Sequence, residues 1–410
     1  YRDLRIVEKM AGNKKRFGYP HRVSFQNTKN STETSYQIQK FLVESGLDKG
    51  VLLAFQSLNP DTLRAVDRAN IKLETYHELQ KRFTKDGVTT LSDIILGLPL
   101  ETYETYTKGI STLIENGQHN RIQFNNLSLL PNSPMVKYGH VAKYGLESVI
   151  SDMINIHGSL GEWVDNVYEK QQLVIATSTM PKEEWVKARN FAHMTGFLHF
   201  DKVLQMSNVV LNNLYEISYK EIIDTFIENP ERMPVIGEVS SIFSGHARRL
   251  QQGGPEYIHS KEWLNIWWPA DEYALIKIAI EGKLDDFYKE AELTLDRLLT
   301  KKGFLEARQT AEKLKGINWN IIFESDLERV KESCDVTIKT LGLKIPIIEN
   351  EALRERSYGI FTKKNKNEIK KMLGDAEYEK FHRTWDYPIK NGESLKQVYE
   401  RVVKYFLAEI

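Results

Sequence analysis

Between residues 22 and 130, short β-prone runs alternate with longer amphipathic ones, and this alternation constrains the fold more than any other feature of the chain. The spacing predicts strands at 22–26, 51–56, 93–96 and 122–129, with helices over 34–45, 74–84 and 102–115 between them. Connections of that type join parallel strands by right-handed crossovers, giving either a doubly wound sheet or a sector of a barrel. In both architectures ligands meet the loops at the carboxyl edge of the strands, so chemistry is expected there.

From about residue 146 to 295 the rhythm changes to long helical patterns, broken at Gly253, Gly254 and Pro255. Trp263, Trp267 and Trp268 follow at helical spacing and read as core packing. A new unit starts near Thr300, with a helix over 304–314, a strand over 320–323 and a helix over 327–341. The expected domains are therefore 1–145, 146–297 and 298–410, and 410 residues suffice for each to bury a core. Hydrophobic residues make up 41% and charged residues 27%, the balance of a globular protein. Lys+Arg and Asp+Glu both total 56, so no global field points to nucleic acid or an anionic membrane. Cys334 is the only cysteine, which excludes an internal disulfide framework and any cluster held by this chain's thiolates alone. No apolar run approaches the roughly 18 residues of a spanning helix, and no leader pattern opens the chain, so a cytoplasmic setting is expected. Tyr1 stands where Met would, and Ile410 falls inside a helical pattern of Leu395, Val398, Val402 and Phe406, so both ends read as cut.

The turn GLPLET at 97–102 follows an apolar strand. Gly97 and Pro99 end that strand, and Glu101 and Thr102 suit a helix start, where their oxygens accept backbone N–H groups. The further motifs are Arg2 and Asp3, Lys29 and Asn30, FQSLNPDTLRAVDRANI at 55–71, DIILGLPLET at 93–102 and LSLLPNSPM at 127–135. Together, in this order, they resemble the radical S-adenosylmethionine (SAM) superfamily, especially its cobalamin-binding-domain subgroup. The resemblance implies a partial (β/α) radical SAM barrel with a helical extension, and reductive cleavage of SAM by a [4Fe–4S] cluster, with methyl transfer where cobalamin takes part. It places Gln56 and Ser57 at a strand end facing the barrel mouth, and Arg68 where a planar guanidinium meets the SAM carboxylate. Gly97 would admit the cofactor to the backbone, and Asn126 would make a polar contact inside the mouth. The cluster needs a Cys-x3-Cys-x2-Cys loop, which this sequence lacks. That loop is expected upstream of Tyr1, as is a cobalamin domain, and no residue here is assigned to a metal.

A second series runs LLTKKGFLEARQTAEKL at 298–314, FESDLERVKESCDVTIKTLGL at 323–343, LRERSYG at 353–359, NKNEI at 365–369, FHRTWDYP at 381–388 and NGESL at 391–395. It resembles the cofactor-dependent phosphoglycerate mutases of the histidine phosphatase superfamily, and implies an incomplete α/β/α domain. A phosphohistidine mechanism needs several cations around a phosphomonoester and a proton donor and acceptor beside the phosphoryl oxygen. By the resemblance, Arg329 would bind the transferring phosphoryl group and Glu355 would be the general acid/base. Arg356, Tyr358, Lys366 and Arg383 would hold the rest of the substrate. Ser325 keeps the family's Ser/Thr, whereas His382 replaces a usual Arg and Ser357 a usual His. The nucleophile's Arg-His-Gly loop is missing from the stretch before Thr300, and the second catalytic His is expected beyond Ile410. His157 and Gly158, without a preceding Arg, read as incidental.

The sequence thus reads as two enzyme pieces, each without its principal catalytic residues. One expectation is a fragment, or a recombined or misassembled frame, inactive in both chemistries and spliced near 295–303. The alternative is a genuine fusion in which the C-terminal unit senses phosphate or serves as a docking module. Expected partners are small molecules, SAM and a phosphorylated metabolite, rather than nucleic acid or a membrane.

Overall fold

The computed structural model describes residues 2–23, 33–48, 50–137, 139–158, 169–228, 233–362, 364, 366–387 and 389–409, with the side chains of 2, 137, 366, 367, 382, 383 and 409 outside that description. Most of the strand expected at 22–26, with Lys29 and Asn30, lies outside it; Arg22 and Val23 are irregular. The chain divides into two units, Tyr1–Leu295 and Asp296–Ile410.

In the first unit, α1 (Arg2–Phe17) and α2 (Glu33–Glu44) bury Val7 and Leu42 together with Leu47. There follow β1 (Gly50–Gln56), α3 (Pro60–Ala65), α4 (Leu73–Lys85), β2 (Thr89–Leu96), α5 (Tyr103–Glu115) and β3 (Arg121–Asn126). The three strands are parallel and adjacent in chain order, so no switch point falls among them. Local chemistry starts the helices. Asn59 accepts the Asp61 N–H with Pro60 in the first turn of α3, and Thr102 and Thr105 form a reciprocal capping box on α5.

Strand alternation divides the sheet into two faces. Val51, Leu53 and Phe55 of β1, Ile94 and Leu96 of β2 and Ile122 of β3 are buried. Buried Thr90 and Ser92 on that face are satisfied by Gln80, Tyr76 and Gln118. The other face is more open. Register there aligns Leu52 with Leu91 and Arg121, and Ala54 with Asp93 and Gln123.

The stretch expected to be helical from 146 carries four strands among its described residues, besides its helices. After the short α6 (Pro134–Lys137) and α7 (His140–Lys143), β4 (Glu147–Asp152) pairs antiparallel with β5 (Lys170–Ala176). β5 also bonds the segment beyond β3, through Val174 N–H to Leu127 O at 2.9 Å and Leu129 N–H to Gln172 O at 2.8 Å. Leu173, Val174, Ile175 and Ala176 are all buried, and a strand covered on both faces reads as a continuous apolar run without a period of two.

α8 (Lys182–Thr195) is buried from Trp185 onward apart from Lys187, and passes into a π-helical turn, Gly196–Phe200. Around it stand α9 (Gln205–Tyr215), α10 (Tyr219–Ile227), α11 (Pro234–Gln251) and α12 (Ala270–Ile280). The tryptophans expected on a helix lie on an antiparallel hairpin, β6 (Ile258–Ser260) with β7 (Ile266–Trp268), and are half-buried. Trp267 packs on His259, Trp263 on Tyr273 and Trp268 on His157. His157 N–H donates to Trp267 O at 2.8 Å, so His157 and Gly158 brace this hairpin.

α13 (Leu284–Lys313) continues through the division and through residues 295–303. The second unit contains β8 (Ile322–Glu324), α14 (Glu328–Leu341) and β9 (Ile347–Glu349), the two strands parallel. Then come 3-10 turns at Glu351–Leu353 and Gly359–Phe361, α15 (Lys366–Leu373), α16 (Asp375–Arg383) and α17 (Leu395–Glu409). Its core includes Phe361, Ile369, Tyr378, Phe381 and Ile389.

Candidate functional sites

The first site lies where β1, β2 and β3 end. β1 slips register against β2 between Ala54 and Gln56, and Gln56 takes the left-handed φ of 63°. A bulge interrupts the ladder, so its backbone groups need other partners. Asp93 Oδ1 accepts the Phe55 N–H at 2.9 Å, and Arg68 Nη2 donates to Ala54 O at 3.0 Å. Arg68 Nε donates to Asn70 Oδ1 at 2.9 Å, and Asn70 Nδ2 donates to Ser57 O at 2.7 Å. Arg68 Nη1 is buried with no partner. Burial pulls this guanidinium's pKa down, and nearby Asp93 opposes that shift. A fixed cation with a spare buried donor suits an anionic acceptor, since an unmet charged donor costs the fold free energy.

Ser57 points inward. Its hydroxyl bonds the Glu101 carboxyl group and accepts the Asn59 N–H at 3.0 Å, while Thr105 Oγ1 donates to Glu101 Oε1 at 2.5 Å. Glu101 is buried, which pushes its carboxyl pKa up, against the hydrogen bonds from Ser57 and Thr105. This knot ties the loop after β1 to the loop after β2. Gly97 has φ 92°, and a Cβ there would stand 3.3 Å from Val174 Cγ1, so the close approach it permits is to β5.

Asn126 is buried at the end of β3. It accepts from Arg189 Nη1 at 2.7 Å and donates to Glu256 Oε1 at 2.6 Å, bridging a buried cation and a carboxylate. Of the five residues expected at a SAM site, Gln56, Ser57 and Arg68 are brought together around the β1 bulge. Gly97 and Asn126 stand at neighbouring strand ends and pack toward the rest of the unit. Sequence reasoning missed Asp93, Asn70, Arg189 and Glu256. Asp93 gave a signal, a carboxylate opening the apolar run DIIL on an inner strand. Arg189 and Glu256 gave none, because their partners are distant in the chain.

The second site follows the carboxyl ends of β8 and β9. Arg329, in the first turn of α14, contacts the Glu355 carboxylate across the two loops, both side chains exposed. Arg354 pairs with Asp326 and holds that carboxyl group's pKa below its usual value. Arg356 Nε donates to Glu393 O at 2.7 Å, and its guanidinium stands over the Tyr358 ring at 5.5 Å. Ser325 is buried beside β8. Arg329 and Glu355 thus meet at this edge, whereas Arg356 and Tyr358, on the same loop as Glu355, pack against Phe381; the side chains of Lys366, His382 and Arg383 lie outside the described residues. Glu393 and Arg401 were missed as site residues. Arg401 donates to both Glu393 oxygens, at 2.6 and 2.9 Å, and to the carbonyls of Ala352 and Glu355 at 2.5 and 3.2 Å.

The implied cofactors fare differently against these residues. Arg68 with its spare donor fits the carboxylate of SAM. A [4Fe–4S] cluster finds no ligand set here, because the one thiol, Cys334, stands in α14 of the second unit. Burial and the adjacent Glu324 push that thiol's pKa up to about 12, away from the thiolate.

Residues 289–409 match the histidine phosphatase superfamily (branch 1). The chain is 32% identical over 219 residues to the cobalamin-dependent radical SAM methyltransferase TokK of Streptomyces tokunonensis, covering 53% of this chain and 32% of that protein. It is 39% identical over 115 residues to the 2,3-bisphosphoglycerate-dependent phosphoglycerate mutase of Parvibaculum lavamentivorans, covering 27% of this chain and 55% of the mutase. The solved radical SAM methyltransferase TsrM of Kitasatospora setae, with cobalamin and a [4Fe–4S] cluster bound, is 13% identical and covers 45% of this chain and 38% of its own. Its TM-score is 0.32. The chain thus joins a region homologous to cobalamin-dependent radical SAM methyltransferases to a histidine phosphatase domain homologous to phosphoglycerate mutases. It spans about a third of the first relative's length and about half of the second's.

Proposed function

We propose that the first unit of this fusion is the SAM-binding sector of a radical SAM methyltransferase barrel, in a cytoplasmic protein, and that the second is a phosphate-binding module without turnover of its own. The observation that carries the first half is Arg68: two of its nitrogens are spent on Ala54 O and Asn70, and the third is buried and free. SAM, when bound and reductively cleaved, supplies the methyl or adenosyl group of such chemistry. The residues here bind and orient it. Arg68 Nη1 takes the carboxylate, Asp93 keeps the bulge in shape, and Gln56, turned by its left-handed φ, offers its amide at the strand end. Ser57 and Glu101 hold the two loops together, a positioning part. These residues supply no ligands for an iron–sulfur cluster. Equilibrium dialysis with labelled SAM tests the proposal: the parent chain should bind, and Arg68→Ala should lose most of that binding. Equal binding by both would refute it.

For the second unit, Arg329 and Glu355 face each other, and Arg356 and Tyr358 stand on the same loop as Glu355, an arrangement of cations suited to a phosphomonoester. The sequence contains no Arg-His-Gly nucleophile loop, so binding without phosphoryl transfer is the reading. Calorimetry with 3-phosphoglycerate should show weak, salt-sensitive binding that Arg329→Ala abolishes. Absence of binding in the parent chain would favour the docking alternative.

A further inference from the structure

The loop that carries Glu355, Arg356 and Tyr358 has little regular structure of its own: it leaves a 3-10 turn at Leu353 and enters another at Gly359. Its shape is set by a segment far along the chain. Glu393 N–H donates to Ser357 O at 2.8 Å, and Ser357 N–H donates back to Glu393 Oε2 at 2.9 Å. The two segments run so close that a Cβ on Gly359 would stand 2.5 Å from Gly392 N, and one on Gly392 would stand 2.8 Å from Ser357 O. Both glycines are therefore required by the contact, and the NGESL and RSYG motifs are two halves of one junction.

From α17, Arg401 closes that junction. Its guanidinium grips both oxygens of Glu393 in a bidentate pair and gives two further N–H groups to Ala352 O and Glu355 O, the carbonyls that bracket Leu353 and Arg354. Both side chains of the pair are about three-quarters buried, at 23% and 24% exposure, unlike the exposed Arg329–Glu355 contact. Hydrogen bonds from Arg401 come first among the causes that hold the Glu393 carboxyl pKa below its usual value. Only a planar fork reaches all four acceptors at once.

We infer that Arg401, acting with Glu393, is the positioning residue of the second site: it touches no ligand, and it fixes the carbonyls of Ala352 and Glu355 so that the loop holding Glu355, Arg356 and Tyr358 presents Glu355 to Arg329. The inference rests on the anion-site reading above. It is tested on the full chain with Arg401→Lys, which keeps the charge but loses the fork, and with Glu393→Gln, which keeps the shape. Two readouts are taken, calorimetry with 3-phosphoglycerate and with inorganic phosphate, and amide exchange at Ser357. Arg401→Lys should weaken 3-phosphoglycerate binding roughly tenfold, the scale of one or two charge-assisted hydrogen bonds. Inorganic phosphate should lose less, because Arg329 stands on α14 outside the stapled loop. Exchange at Ser357 should quicken in both variants while the melting transition stays cooperative. Parent affinity with parent exchange in Arg401→Lys would overturn the inference alone, as would an equal loss for both probes. A parent chain that binds neither probe would overturn the anion site and the positioning role together.

Discussion

At the scale of residues, both sites are built by side chains that hold backbone. Arg68 and Asp93 satisfy a bulge, Arg401 and Glu393 a loop, and Asn126 places one amide between Arg189 and Glu256. Buried charge also leaves a mark on pH dependence. Arg121, at the start of β3, donates to Asp201 at 2.8 Å and to Asp271 at 2.9 Å. Burial and the Asp271 charge push Asp201 up to about 7. Asp271, despite burial, is held at about 2 by His193 and Arg121. A carboxyl group whose folded pKa is raised stabilises the fold at low pH, and that contribution is lost as pH rises from about 4 through 7. Asp201→Asn keeps the acceptor for Arg121 and removes the buried charge. It should therefore raise stability by about 2 kcal/mol at pH 8 and change it little at pH 4, read from denaturant melts at the two values. A gain of equal size at both would show that Asp201 does not titrate in this range.

At the scale of elements, the sequence was legible where one period dominates. β1, β2 and α5 fall within a few residues of their expected places, because alternation and a capping turn mark them. β5 was hidden because LVIA is apolar on both faces, and the β6–β7 hairpin because Trp263, Trp267 and Trp268 happen to fall at helical spacing. The motif's order anticipates that Gln56, Ser57 and Arg68 gather near the end of β1, which is a placement and not a role; the knot that turns Ser57 inward was not legible, since it depends on Glu101 from the next loop. The junction of α8 with the π-helical turn is another long-range feature. A Cβ on Gly196 would stand 2.3 Å from Asp271 Oδ2, so a side chain there must displace the Asp271 carboxylate. Gly196→Ala should cost about 3 kcal/mol, from overpacking and from displacing Asp271 off Arg121. A variant that melts with the parent would show that the turn yields freely.

At the scale of the whole molecule, two units with separate cores carry two candidate sites, each at the carboxyl edge of parallel strands. No helix among the described residues is long and apolar enough to cross a membrane. Residues 295–303, which sequence alone suggested as a splice, lie within the single helix α13, and the histidine phosphatase match begins at residue 289, earlier in the same helix. The proposal that the first unit binds SAM through the Arg68 guanidinium is tested at this scale. The most direct measurement is the coupling between Arg68 and the ligand's carboxylate, from binding of SAM and decarboxylated SAM to the parent chain and to Arg68→Ala. Removing the carboxylate should weaken binding to the parent by tenfold or more and leave binding to the variant unchanged, the scale of a charge-assisted pair. Equal losses in parent and variant would show that Arg68 and the carboxylate do not meet.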